Sequence, residues 1–532
     1  MTNAEADAAT APPSGLARNT AVMAAGTVLS RATGFGRVLA LAYALGASRL
    51  TDSYNVANTA PNLVYELVLG GVLSATLIPV FVEQLAGDDE DSAWRNVSAL
   101  VTVAAVALAV VTLVIVAAAP LVIGVLTAHN DTASVGDQRA VGTFLLRLFA
   151  PQVLLLGAIT FGTALLNVRR RFAAPTWSPI LLNLWTIAVL VAFPHVARGV
   201  SLAAARHDRR GLVLLGLGTT LGYLVQFAAV IPSLRRAGVR LRLVWDPRNP
   251  AIRLTLRLAG WTVGVVAANL AAYLLIVVLA GGRATDYTIY TWAFAFFQLP
   301  HAIVAVSIMS ALMPDLSERW ARSDHAAFRR QLTTGIRATA AVLVPAAVGY
   351  ALLAHPLVRV VLEHGRLSPA AARTTADTLT LFALGLPGFS VYLLLMRAFQ
   401  AMKDTRTMFF IYAAENAATA VLALALYHRL GVQGLAVAFV APYTVFAFVA
   451  LARLHRATGG LDLGGLTQAL GRIAAATAGM AVVVAGVLSL LDAELARAAS
   501  AVVAGALVYV LLAKALKVED LIALLRIRRR PT

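Results

Sequence analysis

Long apolar runs follow one another along almost the whole chain, and short polar loops separate them. Each run is about 20 residues or longer, the length that an α-helix needs to cross a bilayer. The pattern predicts an all-α polytopic membrane protein with about 14 transmembrane helices. The predicted spans lie near residues 21–47, 61–86, 97–127, 141–166, 175–194, 211–233, 255–280, 288–316, 333–356, 377–401, 407–429, 432–454, 469–491 and 494–514.

Two parts of the chain repeat each other. The sequence "GASRLTDSY" at Gly46–Tyr54 is echoed by "GGRATDY" at Gly281–Tyr287, and Asn183 has a counterpart in Asn416. These pairs share an offset of about 234 residues, as parallel repeats of six helices would. We therefore expect two pseudo-symmetric six-helix lobes around a central cavity, followed by two further helices.

Loop charge predicts the orientation of the chain. Cytoplasmic loops are enriched in Lys and Arg, and an even number of spans puts both termini on one side. With the N-terminus inside, roughly 27 of the 44 Lys and Arg fall in the cytoplasm. The predicted organisation is a disordered cytoplasmic tail (1–19), an N-terminal lobe (20–233), a basic cytoplasmic linker (234–254), a C-terminal lobe (255–455), two additional transmembrane helices (456–514) and a basic cytoplasmic tail (515–532).

The composition fits a membrane protein and excludes several other classes. Of the 532 residues, 59% are hydrophobic and only 13% are charged, about half the charged fraction of a soluble protein. The net charge of +18 is explained by the positive loops, and no soluble basic domain points to nucleic acid as a partner. The lack of cysteine excludes disulfides, cysteine-ligated metals and thiol catalysis.

The first span carries Arg31 and Arg37 inside "VLSRATGFGRVLALAYALGA". A charged side chain at mid-bilayer costs about 2.5–3.5 kcal/mol on insertion scales, so such residues usually face a wet cavity. The helix rises roughly 9 Å and turns about 120° between them, which lets both reach one broad cavity. Gly34 and Gly36 permit a bend or a close helix contact there, so we assign them, together with Asp52 and Asp286, a structural or gating role.

Arg31 and Arg37 are candidate anion-binding residues. Guanidinium is permanently charged, and its planar fork fits phosphate oxygens. Other interpretations stay open at this point. Arg31 lies near the predicted cytoplasmic end, where it can snorkel to the headgroups, and Arg37 can pair with a structural acid.

Further polar residues at membrane depth complete the candidate site. Besides the two arginines, the candidate substrate-binding residues are Asn62, Tyr65, Glu66, Asn269, Gln298 and His301. His301 is either a protonatable switch or a hydrogen-bonded structural histidine. Asp52 and Asp286 occupy matched outer turns, and we expect them to cap or pin those turns. Arg147 lies nearer a span end, where snorkelling explains it.

The sequence shows no catalytic or cofactor site. It has no Walker A motif, no paired carboxylates in a soluble domain and no His/Asp/Glu cluster at metal-ligand spacing. We therefore expect a transporter and no enzyme, without cofactor or metal. Its energy would come from an ion gradient, the membrane potential or the flow of substrate.

Three stretches resemble the MurJ/MviN family. "LSRATGFGRVLALAYALGASRLTDSYNVANTAPNL" resembles its amino-terminal signature of a Ser-Arg, a Gly-Phe, a second Arg, a Gly-containing turn and a Thr-Asp before Pro-Asn. "GTALLNVRRRFAAPTWSPILLNL" resembles its connection between the fourth and fifth spans. "RAFQAMKDTRT" resembles its "FYA..D..TP" element, with Gln400 and Met408 in place of Tyr and Pro. The resemblance runs from about residue 20 to 515.

This resemblance implies the fold of the multidrug/oligosaccharidyl-lipid/polysaccharide exporter superfamily. It also implies that lipid II, the undecaprenyl-pyrophosphate-linked peptidoglycan precursor, is flipped across the bacterial plasma membrane by alternating access, with a role in cell-wall synthesis and cell shape. By position, Arg31 and Arg37 match the family's cationic cavity residues. Asp52 matches its outer-turn aspartate, and Asn269 matches a polar position of the seventh span.

The chain also departs from the family pattern. Many members have arginines in the second span, where this chain has Tyr65 and Glu66. Many also have an arginine in the eighth span and an acid just before its proline, where this chain has Ala295 and Gln298. The predicted cavity is therefore less basic than the family pattern.

The implied partners are lipid II, membrane lipid and cell-wall synthesis proteins. Three other functions remain alternatives. A flippase for another polyprenyl-linked oligosaccharide also needs cavity cations. A cation-coupled multidrug exporter of the same superfamily predicts intramembrane acids in place of arginines. A non-transporting scaffold for cell-wall enzymes would use the basic tail after Lys514 for docking, although that tail is equally well explained as a membrane anchor.

The predicted topology can be tested with reporter fusions. Fusions at Thr532 and within the 235–253 linker should give cytoplasmic signals, because positive loops stay inside. A periplasmic signal at either point would contradict both the orientation and the parallel repeat.

Overall fold

The computed structural model describes residues 14–67, 81, 90–130, 132–197, 199, 201–490 and 493–518. Within these residues the chain forms helices joined by short loops, and no strand is present. Three predicted segments lie partly outside the described residues. They are most of the predicted span 61–86, residues 1–13 of the predicted tail 1–19 and residues 519–532 of the predicted tail 515–532.

Seventeen α-helices and a π-helical turn are the main elements of the described residues, and residues 66–67 are also π-helical. The first are α1 (Ser14–Leu45), α2 (Arg49–Tyr65), α3 (Glu90–Leu126), α4 (Val135–Phe149), α5 (Gln152–Val168), α6 (Ala173–Val196), α7 (Leu202–His207), α8 (Arg209–Arg236) and α9 (Pro250–Ala280). They are followed by α10 (Asp286–Pro300), the π-turn His301–Ala305, α11 (Val306–Ala321), α12 (His325–Leu362), α13 (Pro369–Ala401), α14 (Thr405–Leu430), α15 (Val432–Ala457), α16 (Leu463–Leu490) and α17 (Glu494–Ala515).

The helices agree with the predicted spans. Eleven helical segments are long and apolar enough to cross a membrane, and each coincides with a predicted span. Of the other three predicted spans, 21–47 and 255–280 correspond to α1 and α9. The predicted span 61–86 overlaps α2 only at residues 61–65, and most of the rest of it lies outside the described residues. Helix α1 carries Arg18, Arg31 and Arg37, and α2 is short and polar. The all-α, multi-pass membrane fold is confirmed, whereas the count of fourteen stays a prediction.

Short polar residues fix where several helices begin. The side chains of Asp208, Asp324 and Asp404 each accept a hydrogen bond from the backbone N–H three residues later, at 2.9–3.2 Å. Ser368 caps α13 in the same way, at 3.3 Å, and Pro369 occupies the first helical position. These caps satisfy backbone donors that have no partner inside the helix, so they explain why the helices begin at these positions.

The helices divide into two compact units. Unit 1 contains the described residues of 14–44, 53–125 and 133–266. Its helix α8 packs against α4, α5 and α6. One apolar cluster of this unit joins Ile159, Leu182 and Tyr223.

The linker between the predicted lobes is partly tied to α3. The backbone N–H of Arg242 donates to the hydroxyl of Ser98 at 3.1 Å, and that of Val244 donates to Thr102 at 3.2 Å. This part of the linker is extended, and the outward Leu243 is 95% exposed. The segment therefore runs along α3 within unit 1.

Unit 2 contains residues 45–52 and 126–132 and the described residues from 267 onward. Helix α13 is its centre and packs against α10, α12 and α15. Rings from α10, α13 and α15 form a continuous aromatic cluster, with centroid distances from 4.8 to 6.1 Å. Helices α16 and α17 pack on α12, where the hydroxyl of Tyr509 donates to the carbonyl of Ala341.

Close packing of α13 on α15 depends on glycine. A Cβ placed on Gly385 would overlap with Val440, and one on Gly388 would overlap with Thr444. Small residues of this kind let transmembrane helices approach closely, because lipid gives them little hydrophobic driving force.

We expect Gly385→Ala to destabilise the protein by about 1–3 kcal/mol, because the added methyl group overpacks this contact. The matched control is Gly349→Ala in α12, where a Cβ has no neighbour within 4 Å. Thermal unfolding in detergent, followed by tryptophan fluorescence, should show a lower midpoint for Gly385→Ala only. Equal midpoints would contradict the packing described.

Candidate functional site

Asn183 of α6 holds the helix that carries the two candidate arginines. Its side-chain NH₂ donates to the carbonyl of Ser30 and to the hydroxyl of Thr33, both at 3.2 Å. These bonds fix α1 directly beside Arg31. In the sequence, Asn183 stood out only as a marker of the repeat, so its role in positioning α1 was missed.

The glycines of α1 differ in how much space a side chain would find at each position. A Cβ on Gly34 or Gly36 would make an ordinary contact at 3.5 Å, with Asn183 and Ile187 respectively. Helix α1 is continuous through both. A Cβ on Gly26 would lie only 2.8 Å from side-chain atoms of α6, so α1 approaches α6 closely there. The gating role of Gly34 and Gly36 stays a prediction.

Arg31 and Arg37 are not neutralised by a carboxylate in the part of the chain that the structure describes. Arg31 is exposed and Arg37 is half-buried. Arg37 lies close enough to Tyr54 to interact electrostatically with its hydroxyl, which is 3.0 Å from the hydroxyl of Thr219. Two permanent positive charges in one predicted span, without an ion-pair partner among the described residues, form a site that can accept an anion.

The candidate residues in and just after α2 differ in their hydrogen bonding and exposure. The hydroxyl of Tyr65 is 2.6 Å from the hydroxyl of Thr160, which itself donates to a carbonyl of α5. Asn62 donates to the carbonyl of Asn58 at 2.7 Å, within its own helix. Glu66 is exposed just after α2. Of the three, Glu66 is therefore the most accessible to a solute.

The remaining candidate binding residues belong to unit 2. Asn269 is exposed on α9, and Gln298 is half-buried on α10. His301 is buried, with its Nδ1 2.9 Å from the hydroxyl of Ser390 and its ring 4.7 Å from that of Phe389. This is the setting of a hydrogen-bonded structural histidine. The predicted binding residues are thus divided, with five in unit 1 and three in unit 2.

Asp52 caps a helix that lies more than 230 residues away in sequence. Its carboxylate accepts hydrogen bonds from the backbone N–H of Thr285 at 2.6 Å and from both the N–H, at 3.1 Å, and the hydroxyl, at 2.5 Å, of Thr288. Thr285 has a left-handed φ of 73° and provides no side-chain cap for α10. The positive end of the helix dipole favours a carboxylate at this place. Asp52 is only 3% exposed, so these contacts take the place of its hydration.

Asp286 and Arg283 connect the turn before α10 to the end of α14. Asp286 accepts a hydrogen bond from the hydroxyl of Tyr427 at 3.2 Å, and Arg283 donates to the carbonyl of His428 at 3.1 Å. The guanidinium of Arg283 also lies over the ring of Tyr427, 5.3 Å from its centroid. We call the turns 46–52, 126–132, 281–288 and 427–431 the outer-turn cluster, and all four belong to unit 2.

The structure also contains a buried carboxyl group that sequence reasoning missed. Glu415 of α14 is completely buried, and its Oε1 accepts a hydrogen bond from Thr419 at 3.0 Å. Its Oε2 has no hydrogen-bond partner among the described residues. In the sequence Glu415 lies in "FIYAAENAATA", where the repeat singled out only Asn416.

The Asp52 cap generates a stability prediction. Asp52→Asn keeps an acceptor oxygen but removes the charge, so we expect a loss of about 1.5–3 kcal/mol, as for hydrogen bonds to a charged group. Thermal unfolding in detergent measures it.

The control for this measurement is Asp137→Asn. Asp137 forms an exposed ion pair with Arg206, and such pairs contribute about 1 kcal/mol or less. If the two variants unfold at the same temperature, the carboxylate of Asp52 does not stabilise α10 as described.

Solved structures show the same fold. A structure of lipid II flippase MurJ in an inward closed conformation aligns with a TM-score of 0.77 and 18% identity, over 94% of this chain and 99% of that one. An inward-facing multidrug resistance MATE family transporter of the MOP superfamily aligns with a TM-score of 0.67 and 12% identity, over 80% of this chain and 94% of that one.

Sequence relatives agree with the fold. A "Probable lipid II flippase MurJ" of Rhizobium meliloti (strain 1021) is 26% identical over 457 residues, covering 85% of this chain and 83% of the relative. The "Lipid II flippase MurJ" of Burkholderia cenocepacia is 27% identical over 390 residues, covering 72% of each. The family model described as "Lipid II flippase MurJ" matches residues 41–521. The chain therefore belongs to the MurJ family of lipid II flippases.

Proposed function

We propose that this chain is a transporter that flips lipid II from the inner to the outer leaflet of the bacterial plasma membrane. One observation carries the proposal beyond family membership. Arg31 and Arg37 lie in the first helix of a membrane protein, and no carboxylate among the described residues pairs with them. An anionic substrate would provide the missing negative charge.

The chemistry of lipid II matches what the chain offers. Its diphosphate is a compact anion that two guanidinium groups can hold with several charged hydrogen bonds. Its sugar–peptide head needs a hydrated cavity, and its polyprenyl tail can remain in lipid. A neutral or cationic drug would not use such a pair of arginines. This chemistry separates the proposal from a multidrug exporter of the same superfamily.

The other candidate residues differ in how accessible they are to the substrate. Glu66 and Asn269 are exposed, so they are available to the sugars or the peptide. Asn62, Tyr65, Gln298 and His301 remain proposed substrate-binding residues, and His301 would have to leave Ser390 to make such a contact. Asn183 acts through α1, because it holds the backbone beside Arg31.

The outer-turn cluster gives the proposed transport cycle a reversible element. In the present conformation Asp52 and Asp286 hold its turns through hydrogen bonds. Alternating access requires contacts that can break and re-form on the outer side, and each hydrogen bond has a small net free energy of about 0.5–3 kcal/mol. We assign Asp52 and Asp286 to this closing contact.

We place the protein in the plasma membrane with both termini in the cytoplasm, because the basic loops are predicted there. Its partners are lipid II and the surrounding membrane lipid. The basic tail after Lys514 is a proposed docking segment for cell-wall synthesis proteins. As a transporter, the chain would catalyse no covalent reaction.

Replacing the two arginines tests this proposal. Each charged hydrogen-bonding group removed should weaken lipid II binding roughly 10- to 150-fold, equivalent to 1.5–3 kcal/mol. Arg37→Ala should be more harmful than Arg31→Ala, because Arg31 is nearer the headgroups. Lysine restores the charge but not the planar fork, so Arg37→Lys should rescue only partly. The measurements are rescue of cells depleted of their own lipid II flippase and lipid II binding by the purified variants.

The matched control is Arg147→Ala in α4. Arg147 is another arginine of unit 1 and donates to the carbonyl of Val116 at 3.4 Å, as expected for a structural residue. It should leave lipid II binding unchanged. If Arg37→Ala inserts normally and transports at the wild-type rate, Arg37 is structural and the anion-site proposal fails.

A further inference from the structure

A basic cavity opens in unit 1, and neither Arg31 nor Arg37 lines it. It has a volume of about 400 Å³ and lies where the start of α1, the turn between α5 and α6 and the end of α8 meet. Three arginines line it, Arg170, Arg171 and Arg236, and no acidic residue is among the described residues that line it. The positive-inside rule predicts that these arginines lie on the cytoplasmic side.

The turn that presents Arg170 and Arg171 is fixed by the backbone. The N–H of Arg171 donates to the carbonyl of Leu166 at 2.8 Å, and that of Arg170 donates to the carbonyl of Asn167 at 3.0 Å. This pair of bonds is a Schellman motif, which ends α5. The motif needs a left-handed residue, and Arg170 occupies that place with a φ of 55°.

Glycine is the residue that normally fills such a position, because a side chain there is disfavoured. Arg170 therefore takes a conformation that glycine adopts more easily, as Ser323, Lys403 and Lys517 do at other helix ends, and its side chain lines the cavity. The neighbouring Arg169 serves a different purpose, since it lies over the ring of Trp94, 5.5 Å from its centroid. Arg170 and Arg171 are therefore the two members of the triplet that line the cavity.

Three guanidinium groups around one cavity repel each other unless an anion lies between them. Phosphate oxygens are the best match for several arginine forks at once. One wall of the cavity is apolar, formed by Val22, Met23 and Phe172, and Ser233 adds a hydroxyl group. A charged phosphate beside an apolar wall is the arrangement that a phospholipid headgroup and its glycerol backbone fit.

We propose that this basic cavity binds a phosphate group at the cytoplasmic face, supplied by an anionic phospholipid of the inner leaflet. The site would hold the cytoplasmic ends of α1, α6 and α8 to the headgroup layer. It is independent of lipid II flipping, because it shares no residue with the proposed substrate site.

Native mass spectrometry of the purified full-length protein tests the proposal. The probes are phosphatidylglycerol, phosphatidylcholine with the same acyl chains, and inorganic pyrophosphate. The test variant combines Arg170→Gly, Arg171→Gln and Arg236→Gln. Glycine suits the left-handed turn, so this variant removes the charges without disturbing the end of α5. The wild type should bind phosphatidylglycerol preferentially, and the variant should bind it at least about 10-fold more weakly.

Arg248→Gln is the matched control, because Arg248 is an exposed arginine of the same unit that does not line the cavity. It should bind phosphatidylglycerol like the wild type, and the thermal midpoint of Arg170→Gly alone should not fall. If only pyrophosphate binding depends on the three arginines, the phosphate site stands but its ligand is a soluble phosphate compound. If the triple variant binds both probes like the wild type, or Arg248→Gln is equally weakened, the proposal is overturned.

Discussion

A guanidinium group keeps its charge throughout a protein, so an arginine in a membrane span must reach water, a headgroup, a polar backbone group or an anion. This constraint connects the separate features of the chain. Arg147 reaches a carbonyl of α3, and the loop arginines lie at the predicted inner face. Arg31 and Arg37 have no carboxylate partner in the described part of the chain. An anionic substrate is the partner that we propose for them, and Asn183 holds the backbone of α1 beside Arg31.

Negative charge is handled in the opposite way. Asp52 is buried and accepts three hydrogen bonds from the start of α10, so its charge is used to hold structure. Tyr427 and Asp286 add a neighbouring contact in the same outer-turn cluster. Hydrogen bonds of this kind fix one conformation and can still be exchanged with water when the turns separate. The protein thus combines open cationic positions in α1 with satisfied carboxylates at the outer turns.

The sequence was sufficient for the fold because apolar run length is a direct consequence of bilayer thickness. It was also sufficient to single out Arg31 and Arg37, since charge in an apolar run is costly. It could not identify the partner of Asp52, because a contact across more than 230 residues leaves no local pattern. Asn183 and Asn416 show the same limit. They match in the repeat, yet Asn183 bonds to α1 whereas Asn416 bonds to its own helix.

The chain contains no cysteine, so single cysteines at positions 31 and 37 can be labelled without background. The most direct test of the central claim is the rate at which a membrane-impermeant thiol reagent modifies Arg31→Cys and Arg37→Cys. Each variant is reconstituted in vesicles, with and without lipid II, and Leu113→Cys on the exposed apolar face of α3 is the control. Both positions should react, and lipid II should slow the reaction only at concentrations roughly 10- to 150-fold above those that saturate the wild type, because each variant keeps just one of the two arginines; position 113 should stay unreactive. Absence of labelling, or labelling that lipid II does not change, would contradict the claim that these residues face water and hold the diphosphate.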